Sequence, residues 1–296
     1  MQPSQITREP GTSQSVVPRD LDLLDLVAQT ESTEVWQARQ RETGQLLCWK
    51  GLRDPSADQP QTRRRFEHER QVLLEVSSPY VVHLAEGPRA GDPPGLRLAW
   101  LPGESLQRRL IRTPQLSVSD SIWIARQIAQ GLEALLAAGW LHGALHPTHV
   151  RLAPTGEVAL VDLSQGVREE LCPTHFDAAT ASDAISAPRG TGRLAHRREQ
   201  DLQDLGRVLW RMLTGMPVGP TGGDQSDLAH ALRRHVPEIP RELATLTARL
   251  LCETDWPRGA GLREVLRPLV GLELRGLVGD NTMRQSTPAR ATPSAA

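Results

Sequence analysis

The hydrophobic period of this chain changes once along its length, and that change limits what it can build. Up to about residue 102 the apolar residues fall in short runs bounded by turn formers. "LDLLDLVAQT" and "STEVWQARQ" read as strands, "RETGQ" as a turn and "LLCWKGL" as a third strand. "QTRRRFEHERQVLLEV" breaks the pattern: Phe66, Val72, Leu73 and Val76 recur at helical spacing, and "SSP" ends the run. "VVHLAEG" and "LRLAWLP" are two further strands. From residue 103 onward the period is mostly helical. "SVSDSIWIARQIAQGLEALLAAG" opens on cap formers, puts Ile122, Ala125, Ile128, Leu132 and Leu135 on one face and closes on Gly139. "HVRLA" and "EVALVDL", joined by "PTG", form a hairpin pattern. Helices are expected over "DLQDLGRVLWRMLTG", "SDLAHALRRHV", "RELATLTARLLCE" and "LREVLRPLVGL". A small strand-rich part with one helix, followed by a larger helical part, is a two-lobed α+β layout.

The ends, "MQPSQITREPGTSQSVVP" and "GDNTMRQSTPARATPSAA", have little to bury. The expected organisation is a disordered tail at 1–19, a domain at 20–274 dividing near residues 101 and 102, and a second tail at 275–296. Charge is nearly balanced, 34 basic against 35 acidic residues, which argues against a nucleic-acid or anionic-membrane partner. The "RRR" at 63–65 is flanked by acids and fits a solvated helix face. Cys48, Cys172 and Cys252 are too scattered for a disulfide framework or a C-x-x-C site. With no signal-peptide core and no membrane-length apolar run, the expectation is a soluble, cytoplasmic protein.

"LHGALHPTHVRL" gathers His142, His146 and His149 from a chain with nine histidines. Their i, i+4, i+7 spacing would line one helix face and suggest a metal site. Pro147 lies between them and would clash with the carbonyl of Gly143, so the segment reads as a loop.

Taken in order, these elements resemble the protein kinase family, especially bacterial serine/threonine kinases, from about Leu21 to Leu272. Lys50 in "LLCWK" stands fifteen residues after Val35 (50 − 35 = 15), at the place of the family's V-A-I-K lysine. Glu69 matches the glutamate of the family's αC helix, and "LPGESL" the segment after the hinge. "LHGALHPTHVRL" falls on the catalytic loop and "VDLS" on D-F-G. Asp201 falls on the first-turn aspartate of the helix called αF, and Arg258 on a late arginine. The resemblance implies a small antiparallel sheet with helix αC, a mainly helical C-terminal lobe, and the use of ATP and magnesium. In the family the lysine holds phosphates, the glutamate orients it and the D-F-G aspartate binds magnesium.

Several working positions depart from the family pattern. The three loop glycines are Ala28, Thr30 and Thr33. Cys48 stands at the alanine beside the adenine and Arg151 at its aliphatic floor. The aspartate that acts as base is Ala144, a loss that costs about 10²–10⁴ in rate where such a base operates. His146 replaces the lysine, His149 the magnesium-binding asparagine and Gly143 the arginine; Leu163 replaces the D-F-G phenylalanine. Magnesium prefers hard oxygen ligands, so an imidazole substitutes poorly. His196 and Arg197 stand where the family has proline and glutamate, and Thr174, Thr180, Ser182 and Ser186 could be phosphorylated in trans.

The reading that results is a pseudokinase. It has no catalytic base, and Lys50, Glu69 and Asp162 are left to hold ATP and magnesium if these bind. The domain would regulate or scaffold a protein partner. The alternative is a divergent kinase, or another phosphate or nucleotidyl transferase, working through the same three residues. In a minor reading His146 and His149, with Asp162, bind zinc or manganese.

Overall fold

The structure is a computed structural model that describes residues 17–53, 60–168, 198–218, 224–252 and 261–285. Contacts gather the chain into two units. The first takes Met1–Ser77, Val82–Pro102 and Asp162–Gln165, and the second Ser78–Val81, Gly103–Val161 and Gly166–Ala296.

In the first unit β1 (Leu21–Gln29), β2 (Thr33–Gln40), β3 (Leu46–Leu52), β4 (Leu84–Glu86) and β5 (Gly95–Ala99) form an antiparallel sheet in the order β1-β2-β3-β5-β4. The turn between β2 and β3 carries Gly44 at φ +72°, a conformation that glycine enters without steric cost. Alternation along β3 separates two faces. Trp49 and Leu47 join Leu21 and Ala38 in one buried cluster, with Val17, Leu23, Trp36 and Ala85 packed around it. The indole has room because Gly51 and Gly95 lie beneath it: a Cβ on either would meet the ring at 2.5 or 2.4 Å. Lys50 belongs to the other face. Helix α1 (Pro60–Glu75) packs against β4 and β5 and buries Phe66, Glu69, Val72 and Leu73.

The second unit is mostly helical. The short strand β6 (Glu104–Ser105) leads into α2 (Leu106–Arg112), where the Ser105 hydroxyl accepts the Arg108 N–H. Helix α3 (Val118–Ala137) is capped by Ser117, buries the five expected residues and stops before Gly139, at φ +76°. Gly131 lets α3 approach the Tyr80 carbonyl, which a Cβ would meet at 2.9 Å. Next come β7 (Trp140–Leu141), a 3₁₀ turn at Pro147–His149, the hairpin β8 (Val150–Leu152) and β9 (Val158–Leu160), and β10 (Val167–Arg168). Helices α4 (Arg198–Thr214), α5 (Gln225–His235), α6 (Arg241–Cys252) and α7 (Gly261–Gln285) complete it.

Strand and helix types match the periodicity. The fold is the two-lobed α+β arrangement expected, although two short segments change sides relative to a division at residues 101 and 102. Ser78–Val81 joins the helical unit because Leu160 donates its N–H to Tyr80 (2.8 Å) and pairs with Val81 in a parallel bridge. Asp162–Gln165 joins the sheet unit through contacts to Lys50 and Glu69. Elements β6 and α2 carry no expectation of their own; Ser105 as a cap was the available signal. The tail expected from 275 is helical at its start, since α7 continues to Gln285. No proline falls between Pro268 and the helix end at Gln285, and extending a helix costs far less than nucleating one. Residues 1–16 and 286–296 lie outside the described residues. Among the described residues no helix is long and apolar enough to cross a membrane.

A charged network that sequence reading did not anticipate closes one side of the sheet unit. The Arg97 side chain, 1 % exposed, donates to Asp20 at 2.7 and 2.8 Å, to Asp92 at 3.0 Å and to Glu86 at 3.4 Å. Hydrogen bonding to Arg97, against opposing desolvation, holds the Asp20 carboxyl down at about 2, below its ordinary 3.8. A depressed carboxyl stabilises the fold above its unfolded value and loses that contribution as pH falls through the folded one. Denaturant stability of the wild type is therefore expected to fall between about pH 4 and 2, and Asp20→Asn to flatten that part of the curve. Arg97→Ala, which removes a buried guanidinium and strands three partly buried carboxylates, is expected to cost about 2–4 kcal/mol at neutral pH.

Candidate functional site

In the sheet unit the resemblance directs attention first to the β1–β2 turn, where the family's loop amides approach phosphates. Thr30 closes this turn on itself. Its hydroxyl accepts the N–H of Thr33 at 2.9 Å and of Ser32 at 3.4 Å, and lies 2.8 Å from the Thr33 hydroxyl. The Thr30 N–H donates to the Thr33 carbonyl at 2.8 Å. The amides of Ser32 and Thr33 are thus satisfied by a side chain that glycine lacks. Sequence reading treated Thr30 only as a lost glycine; the threonine pair three residues apart was the signal for a side-chain-closed turn.

Below that turn, Lys50 of β3 and Glu69 of α1 form a buried ion pair, Nζ to Oε2 2.7 Å, with side chains 8 % and 0 % exposed. Lys50 also reaches Asp162 Oδ1 at 2.8 Å. The second Glu69 oxygen accepts the backbone N–H of Leu163 at 3.2 Å, and Leu163 is fully buried. The three residues expected to act together are together, within one unit. Burial alone would lower the Lys50 ammonium; the Glu69 and Asp162 carboxylates outweigh it and hold Lys50 above its usual range, hence charged. Burial pushes the Glu69 carboxyl up, opposed chiefly by Lys50. Asp162 has φ +63°, alone among the described non-glycine residues in that region, which aspartate tolerates better than most.

In the helical unit the histidine stretch is a loop followed by the 3₁₀ turn, as Pro147 requires. Asp201, in the first turn of α4, frames it. One carboxylate oxygen accepts the His142 N–H at 2.7 Å and the other the Gly143 N–H at 3.0 Å. Gly143 is at φ +79°, and His142 is fully buried. Ala144, the position that the resemblance assigns to the base, follows. The His149 ring is engaged by its own loop, Nδ1 lying 2.7 Å from the Ala144 carbonyl. His146 Nδ1 accepts the Thr148 N–H at 3.3 Å and lies 2.8 Å from its hydroxyl, so His146 caps the 3₁₀ turn. Partial desolvation, then the charges of His149 and Arg211, hold His146 below the usual histidine range and leave it neutral at pH 7.

The three histidine rings do not converge. Centroids lie 6.0 Å apart for His142 and His149 and 6.3 Å for His146 and His149. Among the described residues no group of three or more His, Cys, Asp or Glu is placed to hold a metal ion. Arg151, expected beneath an adenine, donates instead to the Gly103 carbonyl at 2.8 Å. Cys172, Thr174, Thr180, Ser182, Ser186, His196, Arg197 and Arg258 lie outside the described residues.

Comparison with known proteins gives an independent reading. Residues 24–265 match the family model described as the protein kinase domain. The chain is similar to the serine/threonine-protein kinases PkaA and PkaB of Streptomyces coelicolor. It is 28 % identical to PkaA over 229 residues (72 % of this chain, 41 % of PkaA) and 29 % identical to PkaB over 243 residues (75 % and 57 %). It is 26 % identical to mouse ribosomal protein S6 kinase alpha-6 over 240 residues, 79 % of this chain and 31 % of that protein. The aligned part of the chain therefore spans between about a third and three fifths of the length of these relatives.

Asp201→Ala is expected to speed amide exchange at His142 and Gly143 and to cost about 1–3 kcal/mol per amide left unpaired. Exchange measured by mass spectrometry, with Asp201→Asn as the milder variant, checks this.

Proposed function

This chain belongs to the protein kinase family, and we propose that it acts as a pseudokinase, a regulatory or scaffolding module that binds a protein partner and transfers no phosphate. The observation that carries this reading is the loop framed by Asp201. Its backbone is held by two short hydrogen bonds, yet the residue it presents at the base position is Ala144. A hydroxyl nucleophile would find no proton acceptor there.

Kinase domains use ATP with magnesium, and the residues present do not fit that pair. The β1–β2 turn spends two of its amides on Thr30. His149 stands where an oxygen ligand is needed and turns one ring nitrogen to the Ala144 carbonyl. Asp162 is the single hard ligand left of the expected pair, and one of its oxygens is occupied by Lys50. Lys50, Glu69 and Asp162 satisfy one another's charges through ion pairs of 2.7 and 2.8 Å, which supports an architectural role.

One observation favours the alternative of a divergent kinase. The lysine–glutamate pair is formed at 2.7 Å, and positioning with charge neutralisation carries most of phosphoryl transfer. Thermal shift with ATP and Mg²⁺ or Mn²⁺ separates the readings. A nucleotide at a hundred times its Kd would add about 2.7 kcal/mol to stability. No shift and no transfer to a generic protein substrate is the expected outcome. A metal-dependent shift abolished by Asp162→Ala, accompanied by phosphate transfer, would overturn the pseudokinase reading.

A further inference from the structure

The two sides of helix α7 meet different surroundings. Leu262, Val265, Leu269 and Leu272 lie on the side toward the body and are buried, with α3 and α6 packed against the helix. The next position on that side is Gly276, which is exposed and has open space where a Cβ would stand. At Gly276 the helix has left the body, yet it continues to Gln285. Helical turns without tertiary packing are marginal in water, because most helical stability in proteins comes from a packed apolar face.

The opposite side of α7 is exposed and partly apolar. Arg263, Arg267, Val270 and Leu274 succeed one another at steps of four, three and four residues, and all are exposed. The sequence carries Leu277 and Asn281 at the next two steps. Alternating steps of three and four are the spacing of a coiled-coil seam. Val270 and Leu274 are 40 % and 58 % exposed. Trp123 of α3, 40 % exposed, flanks them: the Arg126 guanidinium lies 4.8 Å from its ring and pairs with Glu273, the neighbour of Leu274. Of the eight exposed large apolar residues among the described residues, three gather here, whereas scattered single ones need no explanation.

The seam complements an inverted copy of itself. An antiparallel pairing about a two-fold axis level with Leu272 sets Val270 of each copy against Leu274 of the other. The same register brings position 280, an aspartate, level with Arg263 of the other copy. Arg263 is open to such a contact, with a side chain 82 % exposed and only a 4.0 Å approach to Glu133. A parallel pairing would instead set Arg263 and Arg267 against themselves, which is unfavourable. We propose that α7 is a self-association surface through which two copies of this chain pair antiparallel along positions 263–281. The proposal goes beyond the pseudokinase reading, and it is tested without nucleotide or any other partner, so either can fail alone.

Sedimentation velocity of the full chain over a dilution series gives the test, with far-UV circular dichroism showing that each variant is folded. Wild type is expected to form a dimer that dissociates on dilution. Leu274→Glu, which puts a charge at the centre of the seam, is expected to weaken the dimer about tenfold or more. Arg263→Glu is expected to weaken it as well, and Arg263→Glu combined with Asp280→Arg to recover the wild-type constant. A monomer at every concentration, a dimer indifferent to Leu274→Glu, or a charge-swapped double variant no tighter than Arg263→Glu alone would overturn the assignment.

Discussion

Glu69 is the group on which the sheet unit depends. It is wholly buried and has three claims on its two oxygens: the Lys50 ammonium, the Leu163 amide and the solvation it has lost. These contacts tie α1 to β3 and to the segment Asp162–Leu163, parts of the chain far apart in sequence. A buried carboxylate is tolerable only while its partners are present, because desolvation takes several kcal/mol that the ion pair must return. Breaking any part of this arrangement therefore leaves an uncompensated charge, whether or not a nucleotide ever binds beside it.

Asp201 does comparable work in the helical unit by accepting backbone amides. Two backbone amides fill its carboxylate and set the course of the loop through Gly143, whose positive φ lets the chain turn there. The loop that Asp201 frames departs from the family pattern. Ala144, His146 and His149 changed the chemistry offered by the loop without removing the frame beneath it, and Thr30 closed a turn that glycine would leave open. The retained Lys50, Glu69 and Asp162 hold segments together through their mutual ion pairs. His146 and His149 were recruited into local structure, as a turn cap and as a partner of the Ala144 carbonyl.

Much of this was legible in the sequence, and the parts that were not have a common cause. The five apolar residues of α3 recur at a spacing only a helix can use, and all five are buried. Pro147 ruled out a helical histidine face, and the structure has a loop and a 3₁₀ turn there. The motif order placed Lys50, Glu69 and Asp162 in one group, which the ion pairs realise. Features that failed to show depend on pairings across the chain that no local pattern carries. Ser78–Val81 follows Leu160, and Asp162–Gln165 follows Lys50 and Glu69, so the units exchange segments that a linear division keeps apart. Arg97 looks like an ordinary strand residue until Asp20, Glu86 and Asp92 surround it.

The central claim is that the lysine–glutamate pair is kept for architecture. A double-mutant cycle on nucleotide-free protein tests it most directly, comparing unfolding free energies of wild type, Lys50→Met, Glu69→Gln and the double variant. Each single change is expected to cost about 3–5 kcal/mol, with the double variant losing clearly less than the sum because neither charge is then left unpaired. Singles that leave stability unchanged, with no coupling between them, would show that the fold does not need the pair and would return it to the service of a ligand.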